Sequence, residues 1–314
     1  MNSRALTVAA VAAVGVASLA TGSAAARTGA VAASLGSQVW GTAEEVPGTA
    51  ALNRGGFAVI TSVSCAAAGN CSAGGDYRDS SGHTQAFVVS QVSGTWHTAI
   101  EVPGTAALNR GGDAVVTSVS CAAAGNCSAG GHYQDSSGRQ VFVVSQVNGT
   151  WHTAIEVPGT AALNESGGAD IFSVSCGSAG NCSAGGRYSD RNGTQAFVVS
   201  QVNGTWHTAI EVPGTAALNQ GGLADIPSVS CAAAGNCSAG GSYDDSSGHQ
   251  QAMVVTETNG TWHTAIEVPG TAALNQGGSA GIASVSCAAA GECSAGGFYK
   301  DSSGHTQAFV VSET

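Results

Sequence analysis

Apolar and polar residues alternate in short runs that recur every 55 or 56 residues along the chain. Alternation over four to eight residues indicates half-buried strands. The first complete copy predicts four strands, at residues 58–65, 71–77, 85–92 and 96–102. Alternation in the fourth run predicts one face made of Trp96, Thr98, Ile100 and Val102. No run has the apolar period of a helix, and the phrase TAAL is too short for more than a turn.

Residues typical of tight turns separate these runs. A DSSG turn at Asp79–Gly82 follows the second run, and Pro103-Gly104 ends the fourth. The third and fourth runs are joined by Asn-Gly, a strong hairpin signal, at 148–149, 203–204 and 259–260. Neighbouring strands are therefore expected to pair antiparallel.

Five copies of this unit form one predicted domain, residues 38–314. Their tryptophans are Trp40, Trp96, Trp151, Trp206 and Trp262. Four antiparallel strands per copy, repeated five times, predict an all-β, five-bladed β-propeller. The region begins on a lone fourth strand (39–46) and ends on a third strand (307–313), so we expect these two to pair and close the ring. The alternative is a linear solenoid, which needs polar caps at its ends.

The N-terminal residues have the pattern of an export signal. Arg4 precedes an apolar stretch (5–20) and a group of small residues (23–26), which predicts a secretory signal peptide over 1–26 and a short flexible segment over 27–37. An uncleaved anchor is the alternative, although the stretch is short for a membrane span. We expect a protein that is secreted or associated with the cell wall, without membrane insertion after cleavage.

Composition narrows the classes of partner. Apolar residues make up 43% of the chain, which is too many for a disordered protein, and 46 glycines indicate many turns. The net charge is −11 with a single lysine, Lys300. Such a chain lacks the basic surface that nucleic acids or anionic membranes require.

Ten cysteines fall in five pairs with one spacing, Cys-x5-Cys. An exported chain with paired cysteines predicts one disulfide in each copy. The pairs are Cys65 with Cys71, Cys121 with Cys127, Cys176 with Cys182, Cys231 with Cys237, and Cys287 with Cys293. Zinc binding is the weaker alternative because no second Cys or His pair accompanies each one.

The phrase SVSCAAAGNCSAGG (62–75), with a Gly-Thr-Trp turn downstream, resembles repeats of exported propeller-like proteins of Gram-positive bacteria. The turn at Ser145–Trp151 is similar to a degenerate Asp-box of sialidase-type blades, with Val147 in the position of the aspartate. That box is a structural turn in its family, so the resemblance implies a fold and no catalytic residue. Five near-identical units are also similar to the tachylectin type of lectin.

Two residue types recur in every copy and are candidate ligand-binding groups. The asparagines, which could equally cap turns, are Asn53, Asn109, Asn164, Asn219 and Asn275. The tyrosines, which could equally pack in the core, are Tyr77, Tyr133, Tyr188, Tyr243 and Tyr299. The position before each tyrosine varies: it holds Asp76, His132, Arg187, Ser242 and Phe298.

His and Glu also recur, four residues apart, after four of the five tryptophans, whereas Gly41 follows Trp40. On a strand they would lie about 13 Å apart, too far for one metal ion or an acid–base pair. We expect them to lie on a solvated outer strand. They are His97, His152, His207 and His263, with Glu101, Glu156, Glu211 and Glu267.

Symmetry favours a binding protein over an enzyme. Five like copies supply one group five times, whereas a hydrolase needs unlike groups at one point. We therefore expect a non-enzymatic, multivalent protein that binds an extracellular glycan or another repetitive surface ligand as a monomer, without a cofactor or metal. A structural or adhesion module is one alternative. A glycoside hydrolase that uses Asp170 and Asp225, two carboxylates of neighbouring first strands, is the other.

Overall fold

The computed structural model describes residues 40–313, so the predicted signal peptide, the segment 27–37 and the exact start of the domain lie outside the described residues. The chain divides into a unit that ends at Ala43 and a larger unit, Glu44–Thr314, which contains the strands of the described residues. Among the described residues, no helix is long and apolar enough to cross a membrane.

Each repeat forms one antiparallel sheet preceded by a four-residue helix with the sequence TAAL. The first repeat contains α1 (Thr49–Leu52), β1 (Ala58–Ala67), β2 (Asn70–Arg78), β3 (Thr84–Val92), β4 (Thr95–Trp96) and β5 (Ile100–Glu101). The second contains α2 (Thr105–Leu108), β6 (Ala114–Ala123), β7 (Asn126–Asp135), β8 (Gly138–Val147), β9 (Thr150–Trp151) and β10 (Ile155–Glu156). We call these sheets 1 and 2.

Sheets 3, 4 and 5 follow the same order. The third repeat contains α3 (Thr160–Leu163), β11 (Asp170–Ser178), β12 (Asn181–Asp190), β13 (Gly193–Val202), β14 (Thr205–Trp206) and β15 (Ile210–Glu211). The fourth contains α4 (Thr215–Leu218), β16 (Ala224–Ala233), β17 (Asn236–Asp244), β18 (Gln250–Thr258), β19 (Thr261–Trp262) and β20 (Ile266–Glu267). The fifth contains α5 (Thr271–Leu274), β21 (Ala280–Ala289), β22 (Glu292–Lys300) and β23 (Thr306–Ser312). The all-β architecture of five antiparallel sheets is confirmed.

The fourth strand of each complete repeat is split in two, unlike the single strand that the sequence predicts. In sheet 1, β4 and β5 both pair with β3, and the residues between them leave the ladder. The N–H of Ala99 donates instead to the carbonyl of Pro47 at 2.7 Å. Val102 is buried, whereas Thr98 and Ile100 are exposed. The predicted common face of Trp96, Thr98, Ile100 and Val102 is therefore wrong.

The core lies between neighbouring sheets. One apolar cluster, for example, joins Ala86 and Val88 of sheet 1 to Val116, Val119 and Trp151 of sheet 2. Trp206 and Trp262 occupy the matching places in the next two clusters. Three of the repeated tryptophans therefore pack in the core, whereas Trp96 is only half-buried and Trp40 is exposed.

Neighbouring sheets are also joined by a recurring set of serine hydrogen bonds. The Ser62 hydroxyl of sheet 1 accepts the N–H of Val119 of sheet 2 at 2.9 Å, and that of Ser64 accepts the N–H of Cys121 at 3.0 Å. Equivalent serines make the same two bonds at each of the other three junctions. The same interface, with serine hydroxyls on one sheet and backbone N–H groups on the next, therefore occurs at all four junctions.

Closure of the ring by the N-terminal strand is not confirmed. Sheet 5 has three strands, in the order β21-β22-β23, and residues 40–46 form no strand. The outward side chains at the two ends of the stack are exposed, by 56% at Val63 of sheet 1 and 86% at Val310 of sheet 5. Closure within the chain stays a prediction.

Five disulfides join the cysteines as their spacing predicts. In each sheet the two cysteines are direct partners across the first hairpin, which brings their sulfur atoms within bonding distance. The pairs are Cys65–Cys71, Cys121–Cys127, Cys176–Cys182, Cys231–Cys237 and Cys287–Cys293. Disulfides of this kind persist in oxidising compartments.

Candidate functional site

The positions at which the repeats differ come together in one row. The variable residue before each tyrosine lies directly across the hairpin from a first-strand residue that also differs between copies. The pairs are Asp76 with Val59, His132 with Val115, Arg187 with Asp170, Ser242 with Asp225, and Phe298 with Gly281. We call these ten residues the variable row. Because neighbouring sheets stack in register, the row crosses all five sheets.

The row lies near the end of the sheets that carries the DSSG turns and the TAAL helices. All arginines and the lysine of the described residues lie at this end: Arg54, Arg78, Arg110, Arg139, Arg187, Arg191 and Lys300. The opposite end, with the disulfide hairpins and the Gly-Thr-Trp turns, contains none of them. This segregation distinguishes one end of the stack as the chemically varied surface.

Asp170 is the centre of a charged cluster that joins sheets 2 and 3. Its Oδ2 accepts Nε of Arg187 at 3.0 Å, and its Oδ1 accepts Nη1 of Arg139 at 3.2 Å. Arg139 also approaches Asp113, with 3.5 Å between Nη2 and Oδ2. The Arg187 guanidinium lies 5.2 Å from the centre of the Phe172 ring, a cation–π distance. Asp170 therefore fixes both guanidinium groups.

His132 lies between two carboxylates of this cluster. Its Nδ1 is 3.6 Å from Asp170 Oδ1, and its Nε2 is 3.7 Å from Asp113 Oδ2. Burial and the neighbouring charge of Arg139 lower the pKa of His132, although the two carboxylates oppose this. Within the described part of the chain, its Nδ1 has no hydrogen-bond partner. The ring is thus a neutral group with an unused nitrogen at the site.

Asp76, on sheet 1, is a buried carboxyl group beside this cluster. Its relative exposure is 7%, and no hydrogen bond or ion pair to its side chain is found among the described residues. Burial raises the pKa of Asp76, and the negative charge of Asp113 raises it further. The row therefore places a carboxyl group with a raised pKa near carboxylates that contact arginines.

Polar contacts continue along the row into sheets 4 and 5. The hydroxyl of Ser242 donates to Asp225 at 2.9 Å and accepts Nε2 of Gln250 at 3.0 Å. Ser279 of the fifth repeat donates to Gln250 at 3.2 Å. Phe298 ends the row with an aromatic ring. Donors, acceptors and one apolar group are thus arranged side by side.

The asparagines predicted as ligand contacts hold the ends of strands. The amide of Asn109 donates to the carbonyl of Thr84 and to Gln85 at 3.0 Å, and its oxygen accepts the N–H of Asp113 at 2.8 Å. Asn164 likewise donates to the carbonyl of Arg139 at 2.9 Å. Asn53, Asn219 and Asn275 take the same place in their repeats. Asn109 and Asn164 thereby position two residues of the charged cluster.

The tyrosines predicted as ligand contacts are bonded to a glutamate in three repeats. Tyr77 donates to Glu101 at 3.1 Å, and two later tyrosines donate to Glu211 and Glu267 at 3.3 Å. Tyr77, Tyr133, Tyr188 and Tyr243 are buried, and Tyr299 is half-buried. Burial and the neighbouring glutamate raise the pKa of Tyr243 to about 12. A ligand role for the repeated Asn and Tyr residues stays a prediction.

The repeated His and Glu residues are separated, as expected. His97, His152, His207 and His263 are exposed and lie in the break between the two short strands of each split fourth strand, not on a strand as expected. The glutamates face the tyrosines, as described for Glu101. No pairing between the two sets occurs among the described residues.

Sequence reasoning missed Asp113 and Arg139 as members of the site. Asp113 immediately precedes β6, the first strand of the second repeat, where the other copies have Phe57, Gly168, Leu223 and Ser279. Arg139 takes a position that holds Thr or Gln elsewhere. Both residues differ from their equivalents in repeats that are otherwise nearly identical. A position-by-position comparison of the repeats would therefore have revealed them.

No protein-family model and no curated protein matches this chain. Solved structures with a similar course of the chain include a GH130 protein, described with glycoside hydrolases that target β-1,2 mannosidic linkages (TM-score 0.39, 10% identity, 81% of this chain and 83% of that one). Another is the catalytic domain of a GH62 α-L-arabinofuranosidase from Coprinopsis cinerea. Its TM-score is 0.33 at 9% identity, and the match covers 81% of this chain and 92% of that one. A third is a Dyadobacter fermentans protein of unknown function. Its TM-score is 0.43 at 11% identity, and the match covers 83% of this chain and 81% of that one.

Several of these similar structures are glycoside hydrolases, which contradicts our prediction that the protein is not an enzyme. The physical reason for the error lies in the row. The symmetry of the repeats is broken where it matters for chemistry, because unlike residues occupy the same position in each sheet. A single site with an acid, carboxylates and arginines is therefore compatible with fivefold repetition.

Proposed function

We propose that the protein is a glycoside hydrolase and that the variable row, together with Asp113 and Arg139 beside it, is its active site. The observation that carries this proposal is Asp76, a buried carboxyl group with a raised pKa beside the carboxylate of Asp113. Glycoside hydrolysis needs two carboxyl groups in different protonation states at one point. Environments that push the pKa values of neighbouring carboxyl groups apart supply such a pair.

Asp76 is the proposed general acid. A protonated carboxyl group donates its proton to the oxygen of the glycosidic bond as that bond breaks. The raised pKa of Asp76 keeps the proton available at a higher pH than an ordinary aspartate would. Its side chain makes no bond to the protein among the described residues, so its oxygens are free for a substrate.

Asp113 is the proposed partner carboxylate. Its side chain is 40% exposed, so it can reach a bound sugar or an attacking water. Arg139 and His132 lie 3.5 and 3.7 Å from its Oδ2 and orient it. It would act as the base or the nucleophile of the reaction.

Asp170 and Asp225, the pair suggested by the sequence, receive other roles in this proposal. Both oxygens of Asp170 are engaged by arginines, so it is a positioning residue for Arg139 and Arg187. Asp225 is bonded to Ser242 and belongs to the polar part of the row. Free donors of these arginines and of Gln250 would bind sugar hydroxyl groups.

The proposed place of action is outside the cell. Five disulfides are stable in an oxidising environment, and polysaccharides are the abundant substrates there. The signal peptide predicted for residues 1–26 supports the same location.

The test is release of sugars from a panel of polysaccharides and oligosaccharides by the oxidised chain, followed by mass spectrometry. Asp76→Asn is expected to lower the rate by about 10²–10⁴-fold, because general acid catalysis contributes that much. Glu292→Gln changes an exposed acid at the opposite end of the sheets and serves as the matched control. Absence of any hydrolysis, or equal rates in the wild type and Asp76→Asn, would contradict the proposal.

A further inference from the structure

We propose that a second binding site lies beside β15, the outer strand of sheet 3, and that it takes a protonated amino sugar. The site is a cavity of about 300 Å³, which we call the side pocket. Its polar lining residues are Asp190, Asn192, Gln195, Glu211, Asn219 and Gln220. A polysaccharide as the source of the amino sugar rests on the proposed function, whereas binding of the ammonium group does not.

The side pocket is formed by three segments at the end of the sheets that carries the variable row. The turn between β12 and β13 supplies Asp190 and Asn192, and β15 ends in Glu211. The residues that follow α4 supply Asn219 and Gln220. A volume of about 300 Å³ is at the lower limit of small-molecule sites, so it suits a single sugar unit.

Asn219 brings an unused acceptor to the side pocket. In the four other repeats the oxygen of the equivalent asparagine accepts the N–H of the residue four positions later, at 2.7–2.8 Å. Asn219 is only 8% exposed, and its Oδ1 has no hydrogen-bond partner among the described residues. Its Nδ2 is used, because it donates to the carbonyl of Thr194 at 3.0 Å and to Gln195 at 2.8 Å. A buried oxygen without a donor costs free energy, so a donor on a ligand is favoured here.

Asp190 is held by fewer donors than the equivalent aspartates. In three other repeats this aspartate accepts two backbone N–H groups and a glutamine amide at 2.8–3.1 Å; these residues are Asp79, Asp245 and Asp301. Asp190 accepts the backbone N–H of Asn192 at 2.7 Å. Its contacts with the side-chain amides of Asn192 and Gln195 are long, at 3.4 and 3.5 Å. The carboxylate therefore keeps acceptor positions for a ligand.

Glu211 is the second carboxylate of the side pocket. Each of its oxygens accepts one hydroxyl, from Tyr188 at 3.3 Å and from Thr215 at 3.0 Å. A carboxylate offers about four acceptor positions, so Glu211 also has acceptor capacity left. Asp190, Glu211 and Asn219 thus supply three acceptor groups to one cavity.

No basic side chain offsets these acidic groups. Among the described residues that line the side pocket there is no Lys, Arg or His. Arg191, in the same turn as Asp190, is bonded to Glu165, with 2.9 Å between Nη2 and Oε1. Charge complementarity therefore favours a cationic ligand. An ammonium group carries three donors, which matches the three acceptor groups.

The amide groups of the side pocket favour a sugar over a simple amine. Gln220 is exposed, and its Nε2 donates to the carbonyl of Ala216 at 2.8 Å, which leaves its oxygen as an acceptor for hydroxyl groups. Asn192 uses its side-chain NH₂ on Asp190 in the same way. An amino sugar presents one ammonium group and several hydroxyl groups, so it uses both kinds of acceptor.

Two lining residues set this pocket apart from the equivalent places in the other repeats. Asn192 takes a position that holds a serine elsewhere, at Ser81, Ser137, Ser247 and Ser303. The equivalents of Gln220 are Arg54, Arg110, Glu165 and Gln276. An arginine at this position would place a positive charge beside the carboxylates, so the first two repeats supply a natural test substitution.

The test is isothermal titration calorimetry of the oxidised chain with glucosamine, N-acetylglucosamine and glucose, at a mildly acidic pH that keeps the amine protonated. Glucosamine should bind about tenfold more tightly than the two neutral sugars, because hydrogen bonds to charged groups are stronger. Asp190→Asn should reduce this preference, and Gln220→Arg should abolish it. Asp135→Asn and Gln276→Arg make the same changes at the equivalent positions of other repeats and should bind like the wild type.

Three results would overturn the proposal. They are equal affinities for the three sugars, the same loss in Gln220→Arg as in Gln276→Arg, and tighter binding of an acetylated lysine amide than of glucosamine. The last result would assign the pocket to lysine side chains of a protein. Asp76→Asn should bind glucosamine like the wild type, so this binding and the hydrolysis that tests the proposed function succeed or fail separately.

Discussion

At the scale of single residues, burial and charge give Asp76 an unusual protonation equilibrium. Burial of Asp76, which is 7% exposed, and the negative charge of Asp113 raise the pKa of its carboxyl group. Asp170 has the opposite surroundings, with an arginine on each oxygen. The same residue type thus has two roles, and the difference comes from the sheet on which each aspartate lies.

The raised pKa of Asp76 makes the stability of the folded protein depend on pH. The folded-state pKa of Asp76 is raised above its ordinary value of 3.8, so the folded protein binds more protons than the unfolded chain between the two pKa values. Stability contributed by this group is present below 3.8 and is lost as the pH rises through the folded pKa. Asp76→Asn removes the cost of burying the charge.

We therefore expect Asp76→Asn to unfold at a higher temperature than the wild type at pH 7, with a smaller difference at pH 3.5, in calorimetric scans over that range. Glu292→Gln should unfold at the same temperature as the wild type over this whole pH range. A gain that is the same at both pH values would show that ionisation of Asp76 is not the cause.

At the scale of the strands, the paired glycines of each second strand set how closely sheets approach. A Cβ at Gly186 would collide with the carbonyl of Asp170, so the glycine lets the first strand bulge beside the row. Gly240 packs against Ile282 of the next sheet, whereas Gly296 faces open space. Identical residues in the sequence therefore have unequal neighbours.

Gly240→Ala is expected to lower the unfolding temperature, because its methyl group would lie 2.5 Å from Ile282 Cγ2. Overpacking of this kind costs about 1–3 kcal/mol. Gly296→Ala should leave the monomer's unfolding unchanged, since the nearest atom is 3.8 Å away. Chemical denaturation of both variants, at concentrations where the chain is monomeric, compares them directly. Equal destabilisation by the two substitutions would disagree with an open face on sheet 5.

Much of this strand architecture could be predicted from the sequence, because alternation and turn residues are local signals. The first strand begins at Ala58 as predicted, and the cysteine hairpin has the expected register. The break at Ala99 depends on a hydrogen bond to Pro47, more than fifty residues earlier, and no local pattern reveals it. The variable position holding Asp76 was visible in the sequence, but its proximity to Asp113 depends on how two sheets stack.

At the scale of the whole unit, the residues shared by all copies and the residues that differ between copies lie in different places. The residues shared by all copies build the sheets and the junctions between them, as the serine hydrogen bonds and the Tyr–Glu pairs show. The residues that differ lie at one end, where every arginine and the lysine of residues 40–313 are found. A repeated scaffold can thus carry a single, asymmetric site.

The central claim is that Asp76 protonates the leaving group in glycoside hydrolysis. The most direct measurement compares the wild type and Asp76→Asn on two glycosides of the same sugar that differ in the leaving group. A poor leaving group needs the proton, whereas dinitrophenolate departs without it. Asp76→Asn is expected to lower kcat/KM about 10²–10⁴-fold for the poor leaving group and far less for the dinitrophenyl glycoside. Equal losses on both substrates, or no loss on either, would contradict it.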